Sequence, residues 1–490
     1  MPKKKPVAKP KAKKKPVARL TPKKKGKTAS KVAKLKFVKK VQRPEQPVAK
    51  ERTEPEEARK NGKGFETLRG MKDLLPEKSP LWLLVYHTAE NIAKAYGFGY
   101  METPILESTQ LFVRSLGKAT DVIDKEMYTF EDKDGSKVSL RPEATASIAR
   151  AYINHGMHNR PQPVKVWYWG QMFRHDRPQA GRYRQFHQFG CETLGQRDPV
   201  IDAELIAVSY NFLFDLGIST EVHINSIGSL EDRKNYTVEL VGYLRSKRTY
   251  LCADCKRRMV KNPLRVLDCK EEECRNVIEE APQIVDWLSA ESRAFFMKVL
   301  EYLDELQVPY VLRSTLVRGL DYYTDTVFEF YTEKGEEGAQ SALGGGGRYD
   351  GLIEQLGGRP TPAAGFSMGI ERVISELTRD KEGRKEFENP YDGTMQIFFA
   401  QLGEQARRRM LRLIEELRRK GILVGSNLAK TSLKTQLELA NSLKSTHTVI
   451  LGQKEVQDGT VIIRDMSSGI QEIVDQKKIE QELRKIIAAK

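Results

Sequence analysis

The sequence contains few cysteines and no long hydrophobic run. Five cysteines among 490 residues are too few for a scaffold held together by disulfides, and they fit a reducing compartment. The nearest approach to a membrane span is the apolar run 81–86, far short of the roughly 18 residues required. No apolar segment follows the basic N-terminus, so a secretory signal is not indicated. We therefore expect a cytoplasmic protein that does not span a membrane.

Acidic residues are almost missing from the first 50 residues, which contain 20 Lys and Arg but only Glu45. The rest of the chain carries 63 basic and 65 acidic residues, so the net charge of +17 arises in this tail. Its repeats of Lys, Pro, Ala and Val cannot bury enough apolar surface to offset chain entropy, which predicts disorder over residues 1–63. Such a tail can contact RNA non-specifically by neutralising phosphates, or can act only as a solubilising extension.

Aromatic and β-branched residues predict a hairpin of two strands, 164–173 and 183–194, joined by a long charged loop. Strands are predicted again over residues 316–331. Residues 230–312 have a helical pattern, contain four of the five cysteines, and are interpreted as an insertion. From residue 395 onward strands alternate with helices, which predicts a small α/β domain with a largely parallel sheet over residues 395–490.

One face of the second hairpin strand is unusually polar. Because side chains alternate between the two faces of a strand, this face carries Arg182, Arg184, Phe186, Gln188, Gly190 and Glu192. Such residues make a poor core but suit a phosphorylated ligand that contains a ring; a solvated sheet face is the alternative. The opposite face carries Tyr183, His187, Phe189 and Cys191. This placement predicts that His187 and Cys191 are structural rather than catalytic.

The glycine run 344–347 is a weak signal by itself. The residues that follow it do not fit a dinucleotide-binding fingerprint, and no P-loop sequence occurs in the chain. Taken alone, the run predicts a tight turn or a close contact with another backbone segment.

Four cysteines lie close together in two pairs, Cys252-x2-Cys255 and Cys269-x4-Cys274. Two such pairs can place four thiolates around a tetrahedral Zn²⁺, although the second spacing is at the long end of the usual range. Four reduced thiols in a helical insertion are the alternative. The sequence therefore leaves a structural zinc site open.

Five segments together resemble the signatures of one enzyme family. Residues 173–188 resemble motif 2 of the histidyl-tRNA synthetases, which are class II enzymes, and residues 316–323 (LVRGLDYY) and 343–352 (LGGGGRYDGL) are similar to their two histidine-specific signatures. Residues 99–107 are similar to motif 1, the dimer-forming element, and residues 364–372 to motif 3. The resemblance covers about residues 64–490. It implies an α+β fold, with an antiparallel-sheet catalytic core over residues 64–390, the helical insertion at about 230–312, and a C-terminal α/β anticodon-binding domain.

The activity that this resemblance implies is a two-step ligation. ATP, with Mg²⁺, would activate L-histidine to histidyl-adenylate, and the histidine would then pass to the 3′ end of tRNA(His), on a cytoplasmic homodimer. One alternative is a synthetase-like, histidine-binding regulatory subunit of ATP phosphoribosyltransferase, which usually lacks the anticodon domain. Another is a non-catalytic RNA-binding protein. Both predict loss of the phosphate-binding arginines, which are present in this chain.

The resemblance also implies roles for individual residues. ATP is assigned to Arg174, Arg182, Phe186, Arg318 and Arg372, with Arg174 and Arg318 as catalytic groups at the reacting α-phosphate. L-Histidine is assigned to Glu143, Thr145, Gln188, Glu192, Tyr322, Tyr323 and Tyr349. The acceptor end of the tRNA is assigned to Arg177 and Gln179. Ala144 stands where the family usually has Gly, and its methyl group is expected to narrow the histidine pocket slightly.

Overall fold

The computed structural model describes residues 65–117, 120, 122–176, 181–332, 342–379 and 396–488. The tail predicted to be disordered, residues 1–63, lies outside these ranges. The described residues from Glu66 onward belong to one compact unit. No helix within them combines the length and the apolar character that crossing a bilayer requires.

Helices and strands alternate along the described chain. The helices are α1 (Ser79–Ala95), α2 (Thr109–Leu116), α3 (Thr145–Asn154), α4 (Pro199–Asp215), α5 (Leu230–Ser246), α6 (Ala253–Lys261), α7 (Glu272–Glu279), α8 (Ala290–Glu305), α9 (Leu352–Gln355), α10 (Ile370–Arg379), α11 (Glu404–Arg419), α12 (Leu433–Ser442), α13 (Gln453–Asp458) and α14 (Ile479–Ala488). The strands are β1 (Gly99–Tyr100), β2 (Leu106–Ser108), β3 (Thr129–Glu131), β4 (Lys137–Leu140), β5 (Val164–Phe173), β6 (Gln185–Leu194), β7 (Thr220–Ser226), β8 (Tyr310–Leu312), β9 (Thr324–Thr332), β10 (Gly344–Arg348), β11 (Ala363–Gly369), β12 (Ile397–Gln401), β13 (Gly425–Ser426), β14 (His447–Leu451), β15 (Thr460–Asp465) and β16 (Gln471–Asp475).

The largest sheet has eight strands in the order β1-β5-β6-β11-β10-β9-β7-β8. Its end pairs β1–β5 and β7–β8 are parallel, and the five pairs between them are antiparallel. A separate three-stranded sheet has the order β2-β4-β3. The predicted hairpin is β5–β6, which pairs from Val164 with Leu194 to Phe173 with Gln185. The α+β class with an antiparallel core is confirmed.

Alternation along β6 separates the core from a cavity. Phe189 and Cys191 are fully buried in a hydrophobic cluster with side chains of α1, α4 and α8. Phe186 and Gln188, which have the opposite parity, line the cavity described below. Cys191 is therefore structural, as its position in the strand predicts.

The glycine run 344–347 forms most of strand β10, between β9 and β11. A Cβ atom on Gly346 would lie 2.1 Å from the carbonyl oxygen of Gly365, and one on Gly345 would lie 2.5 Å from that of Phe328. Neighbouring backbones occupy the space that a side chain would need, so these positions require glycine. The predicted close backbone contact is confirmed, but the run is a strand rather than a turn.

The interpreted insertion contains helices α5 to α8, but its last residues, Tyr310–Leu312, form strand β8 at the edge of the eight-stranded sheet, so it is not helical throughout. Helix α5 begins with a capping box, in which Ser229 accepts from the backbone of Asp232 and Asp232 accepts from the backbone of Ser229. Tyr236 and Leu240 of this helix are buried in the same hydrophobic cluster as Tyr323. The insertion therefore packs directly against the segment that carries the first histidine-like signature.

The C-terminal sheet has the order β13-β12-β14-β15-β16. The pairs β13–β12 and β12–β14 are parallel, whereas β14–β15 and β15–β16 are antiparallel, so the prediction of a largely parallel sheet is wrong. Only residues 452–459 connect β14 to β15, and a parallel crossover needs about a dozen residues or more. The α/β character of this region is confirmed.

Candidate active site

A cavity of about 620 Å³ opens on the polar face of the eight-stranded sheet. Its walls come from the β5–β6 hairpin, the start of α3, strands β9 to β11, the segment 317–323 and the cysteine-bearing part of the insertion. These segments are far apart in the sequence but meet here because β6, β11, β10 and β9 are neighbours in the sheet.

Four arginines assigned to ATP line this cavity: Arg174, Arg182, Arg318 and Arg372. Arg174 Nε donates to the carbonyl oxygen of Pro142 at 2.9 Å, and its guanidinium carbon lies 5.5 Å from the centroid of the Phe186 ring. Arg182 forms an ion pair with Asp176 at 3.3 Å. The predicted convergence of cationic side chains from motif 2, motif 3 and the first signature is therefore present.

Arg372 is held on this wall by two backbone oxygens. Its Nε donates to Gly181 at 3.1 Å and its Nη1 to Ala342 at 2.6 Å. Burial, followed by the positive charges of Arg182 and Arg174, lowers the pKa of Arg372 to about 10. A bound polyanion would relieve this repulsion, since an opposite charge favours the protonated form.

Arg318 forms an ion pair with Glu329 of β9, and Tyr331 donates to the other Glu329 oxygen at 2.5 Å. The guanidinium carbon of Arg318 lies 5.5 Å from the centroid of the Tyr323 ring. Burial lowers the pKa of Arg318, but the charge of Glu329 and the neighbouring tyrosines outweigh this effect and raise it. Arg318 is therefore a permanent cation in a fixed position.

Glu192 lies at the centre of a second group of side chains and is 1% exposed. Thr145 Oγ1 donates to one of its carboxylate oxygens at 2.7 Å, and the Tyr349 hydroxyl donates to the other. Glu143 accepts from the backbone N–H groups of Thr145 at 2.7 Å and Ala146 at 2.9 Å, and so stabilises the N-terminus of α3.

Both carboxyl groups have perturbed acidity. Burial raises the pKa of Glu192 from its ordinary value of 4.5 to about 8, and the hydrogen bonds from Tyr349 and Thr145 oppose this shift. Burial also raises the pKa of Glu143, and its hydrogen bonds with Ala146 and Thr145 oppose it. A ligand that brought N–H donors would stabilise the charged forms of both groups.

Three tyrosines enclose the same part of the cavity. The ring centroids of Tyr322 and Tyr323 are 4.6 Å apart, and those of Tyr322 and Tyr349 are 5.6 Å apart. Gln188 Nε2 donates to Ser367 at 3.4 Å, while its buried Oε1 has no hydrogen-bond partner within the described part of the chain. Six of the seven residues assigned to histidine line the cavity, and the seventh, Glu192, is bonded to two of them.

Some expected residues are placed elsewhere. Arg177 and Gln179, assigned to the tRNA acceptor end, lie outside the described residues. Arg184, expected on the ligand face, is not among the residues that line the cavity, and its Nε donates to the Asp176 carbonyl at 3.4 Å. Ala144 is 1% exposed within the hydrophobic core and is not among the residues that line the cavity.

Several cavity residues were not anticipated from the sequence, and three of them contain polar groups at the heart of the site. Glu329 supports Arg318, Ser367 supports Gln188, and Tyr168 lines the cavity with a buried hydroxyl that lacks a partner among the described residues. The sequence could have indicated Glu329 as a site residue, because an acidic residue between Phe328 and Phe330 in a strand is unusual in an apolar core.

The four clustered cysteines meet in space beside the cavity. Their Sγ atoms all lie within 4.8 Å of one another, those of Cys252 and Cys269 are 3.9 Å apart, and none is in a disulfide. Zinc–sulfur bonds of about 2.3 Å in a tetrahedron separate the sulfurs by about 3.8 Å. The arrangement therefore fits a tetrahedral zinc ion, and Cys252 and Cys269 also line the cavity.

Comparisons with known proteins find related sequences and a related structure. A sequence model of the family "Histidyl-tRNA synthetase" matches residues 70–373, and one of the family "Anticodon binding domain" matches residues 396–486. A histidine–tRNA ligase of Dehalococcoides mccartyi is 46% identical over 424 residues, which cover 86% of this chain and 100% of that protein. One of Halothermothrix orenii is 44% identical over 420 residues, which cover 86% of this chain and 99% of that protein. The crystal structure of apo S. aureus histidyl-tRNA synthetase superposes with a TM-score of 0.71 at 34% identity, over 86% of this chain and 99% of that one.

Proposed function

Since this chain belongs to the histidyl-tRNA synthetase family and catalyses the ligation of histidine to tRNA, we propose that the cavity forms histidyl-adenylate from histidine and ATP. The observation that carries this proposal is the meeting of four arginines with Tyr323, and with the Thr145 and Tyr349 that hydrogen-bond Glu192, in a single cavity. One half offers positive charge for phosphates, and the other offers an enclosed, polar pocket of tyrosines and carboxylates.

The chemistry requires charge screening rather than a general base. The histidine carboxylate is already an anionic nucleophile; its attack on the α-phosphate of ATP forms the mixed anhydride and releases pyrophosphate. The protein must hold the two anions in line and stabilise the charge that develops on the phosphate. Arginine suits this task, because its charge is permanent and its planar fork matches phosphate oxygens.

Within this proposal, Arg174 and Arg318 contact the reacting α-phosphate from two sides. Arg182 and Arg372 hold the β- and γ-phosphates, and the adenine lies between Phe186 and Arg372. The repulsion among Arg372, Arg182 and Arg174 supports these roles, because a triphosphate would offset it.

For histidine, Glu143, Thr145 and Gln188 receive the α-amino group, and the unpartnered Gln188 Oε1 supports this role. Glu192 and Tyr323 hydrogen-bond the two imidazole nitrogens, while Tyr322 and Tyr349 shape the pocket. A pocket that supplies a partner for each nitrogen rejects analogues that lack them, because its own buried polar groups would then be left unpaired.

Magnesium accompanies ATP throughout this family, and it neutralises phosphate charge when bound. Among the described residues, the cysteines form the only group of three or more metal ligands. A magnesium ion would therefore be held mainly by the phosphates, with one or two carboxylates, as is usual for this ion. Glu329 and Asp176 line the cavity and offer such carboxylates.

We propose that the four cysteines bind one structural Zn²⁺. The distances among their sulfur atoms and the absence of disulfides among the described residues support this site. Elemental analysis of the purified protein should find one zinc per chain. Folded protein free of metal would reject the site.

The second step brings in tRNA(His). We propose that the loop containing Arg177 and Gln179 meets the acceptor end, that the domain over residues 396–486 binds the anticodon, and that the basic tail contacts RNA non-specifically. The site of action is the cytoplasm.

A homodimer is proposed through the motif 1 region. Large apolar side chains are exposed on β1, β2, β3 and the segment between the first two: Tyr100 at 53%, Ile105 at 40%, Leu106 at 47% and Phe130 at 47%. A partner subunit that covers this surface would remove these groups from water. Light scattering of the purified chain should give twice the mass of one chain.

Histidine-dependent exchange of pyrophosphate with ATP, screened against the other amino acids, tests the proposed reaction. Exchange is expected with histidine alone. Histidine binding without exchange would instead favour the regulatory subunit of ATP phosphoribosyltransferase, although the intact arginines and the anticodon-binding domain argue against it.

A further inference from the structure

The loop that carries Arg318 is held from outside the catalytic core. Asn262 Nδ2 donates to Asp321 Oδ1 at 2.7 Å, three residues after Arg318. Arg265 covers the loop between them, since a Cβ atom on Gly319 would lie 3.5 Å from Arg265 Nη1. Both Asn262 and Arg265 belong to the insertion.

Asp321 joins three parts of the molecule. On the side opposite Asn262 it packs on the end of α2, where a Cβ atom on Gly117 would lie only 2.2 Å from its Oδ2. Arg233 of α5 donates to the carbonyl oxygens of Asp321 at 3.4 Å and Tyr323 at 2.7 Å. The loop is therefore fixed at Asp321 by contacts with both α2 and the insertion.

Asn262 and Arg265 lie between the two pairs of cysteines. Cys252 and Cys255 begin α6, Asn262 ends it, and the chain then turns through residues 263–266 before it reaches Cys269 and Cys274. A single ion bound to all four sulfurs would tie together both ends of the segment whose middle holds the Arg318 loop.

We propose that this zinc site and Asn262 together position Arg318 for adenylate formation. The inference rests on the proposed zinc site and on the proposed role of Arg318. Asn262 is a positioning residue: it touches neither histidine nor ATP, and it acts through Asp321. The ion takes no part in the chemical step, because its four ligands are all supplied by the protein.

The physical reason is the short length of the clamped segment. Apart from the cysteines, residues 252–274 bury only three apolar side chains, those of Met259, Val266 and Leu267, and in such small units the metal supplies much of the folding free energy. Without the ion, the two ends of the segment separate and Asn262 no longer has a fixed position. Displacing a charged catalytic group by about 1 Å can cost about 100-fold in rate.

The first test measures single-turnover adenylate formation in Asn262→Ala. The rate constant should fall by about 10- to 100-fold, while the amount of adenylate formed per chain stays the same. Loss through unfolding has the opposite signature, a smaller amount formed at an unchanged rate. Asn276→Ala, at an exposed asparagine on α7 of the same insertion, is the matched control and should behave like the parent.

A swap of the two partners provides a rescue. Asn262→Asp alone places two carboxylates together and should also slow the reaction. Combining it with Asp321→Asn restores one amide and one carboxylate, still beside Arg233 and Arg265, and should recover much of the rate. A double variant slower than both single variants would overturn the positioning role.

The second test removes zinc from the full-length protein with a chelator under reducing conditions, with metal content measured alongside. The rate constant should fall as in Asn262→Ala and recover when Zn²⁺ is added. Cys269→Ser should lose metal and slow the reaction, whereas Cys191→Ala, at the cysteine outside the cluster, should keep its zinc.

The outcomes separate the two proposals. Protein purified without metal rejects the zinc site itself. Zinc that is present but can be removed without any change in the rate constant rejects only the coupling to Arg318. An Asn262→Ala variant as fast as the parent overturns the inference but leaves both the zinc site and the ligase activity standing.

Discussion

The proposed reaction depends more strongly on Arg318 than on any other residue. Replacing it with Ala removes a fixed cation beside the reacting phosphate, and the loss of one such electrostatic contact typically costs about 100- to 1,000-fold in kcat. We expect the rate of histidine-dependent exchange to fall by this amount, with the KM for ATP changed by less than about threefold. Arg412→Ala, at an exposed arginine paired with Glu416, is the control and should leave exchange unchanged.

Arg318→Lys refines this test, because lysine keeps the charge but lacks the planar fork. An intermediate rate is expected. If Arg318→Ala weakened ATP binding as much as it slowed exchange, the arginine would contribute to ground-state binding only, and its proposed transition-state role would be wrong.

The raised pKa of Glu192 predicts that histidine binding depends on pH. With a pKa of about 8, this carboxyl is mostly protonated at pH 7 in the ligand-free protein, whereas its charged form is the better acceptor for an imidazole N–H. The KM for histidine should therefore fall as the pH rises from about 7 to about 8.5. Glu192→Gln should weaken histidine binding and lose this dependence, while Glu354→Gln, at an exposed position on α9, should keep it.

The raised pKa of Glu192 also affects the free energy of unfolding of the protein. Because the pKa of Glu192 in the folded chain lies above 4.5, the folded protein binds a proton that the unfolded chain releases. This stabilising contribution is fully present below pH 4.5 and is lost as the pH rises through about 8. Urea unfolding at pH 6 and pH 8.5 should therefore show a smaller decline in the free energy of unfolding for Glu192→Gln than for the parent.

The positions of single side chains could be predicted where the alternation along a strand or a family signature determines them. The placement of Phe186 and Gln188 on one face of β6, and of Phe189 and Cys191 on the other, follows from alternation alone. The pairing of Arg318 with Glu329 does not, because it depends on which strands become neighbours and on their register.

At the scale of elements, strand β10 is the least tolerant of change. A Cβ atom on Gly346 would lie 2.1 Å from the Gly365 backbone, which cannot move without breaking the β10–β11 pairing. Gly346→Ala should destabilise the protein by more than about 2 kcal/mol and lower its melting temperature by about 2 °C or more. Gly351→Ala is the matched control, because a Cβ there meets nothing within 4 Å and φ is −87°.

Calorimetry of the two variants checks this prediction. Equal melting temperatures for Gly346→Ala and Gly351→Ala would mean that the glycine run does not owe its composition to backbone packing. Its conformation would then have to be explained by contact with a ligand instead.

The elements differed in how well the sequence predicts them. The β5–β6 hairpin has a strong local pattern, and its two strands are predicted to within two residues at each end. Strand β16 has a weak local pattern, because four of its five residues are exposed and it pairs only at the edge of the sheet. The mixed direction of that sheet follows from one short connection, a feature of topology rather than of residue pattern.

At the scale of the whole molecule, the net positive charge lies in the basic tail and the remaining chain is nearly neutral. The first 63 residues carry 24 basic and five acidic residues, so residues 64–490 have a net charge of −2. The described residues from Glu66 onward belong to one compact unit that contains the complete cavity. Adenylate formation, which needs only small ligands, should therefore not depend on the tail.

Deleting residues 1–63 should leave histidine-dependent exchange within about twofold of the full-length rate, while the KM for tRNA rises at low salt. Neutralising phosphates releases counterions, so the salt dependence of tRNA affinity should be steeper for the full-length chain than for the deletion. A variant in which the basic residues of the tail are replaced by Gln separates charge from length, and should match the deletion. Equal salt slopes for all three proteins would leave the tail as a solubilising extension, and a collapse of exchange would show that it is needed for adenylate formation.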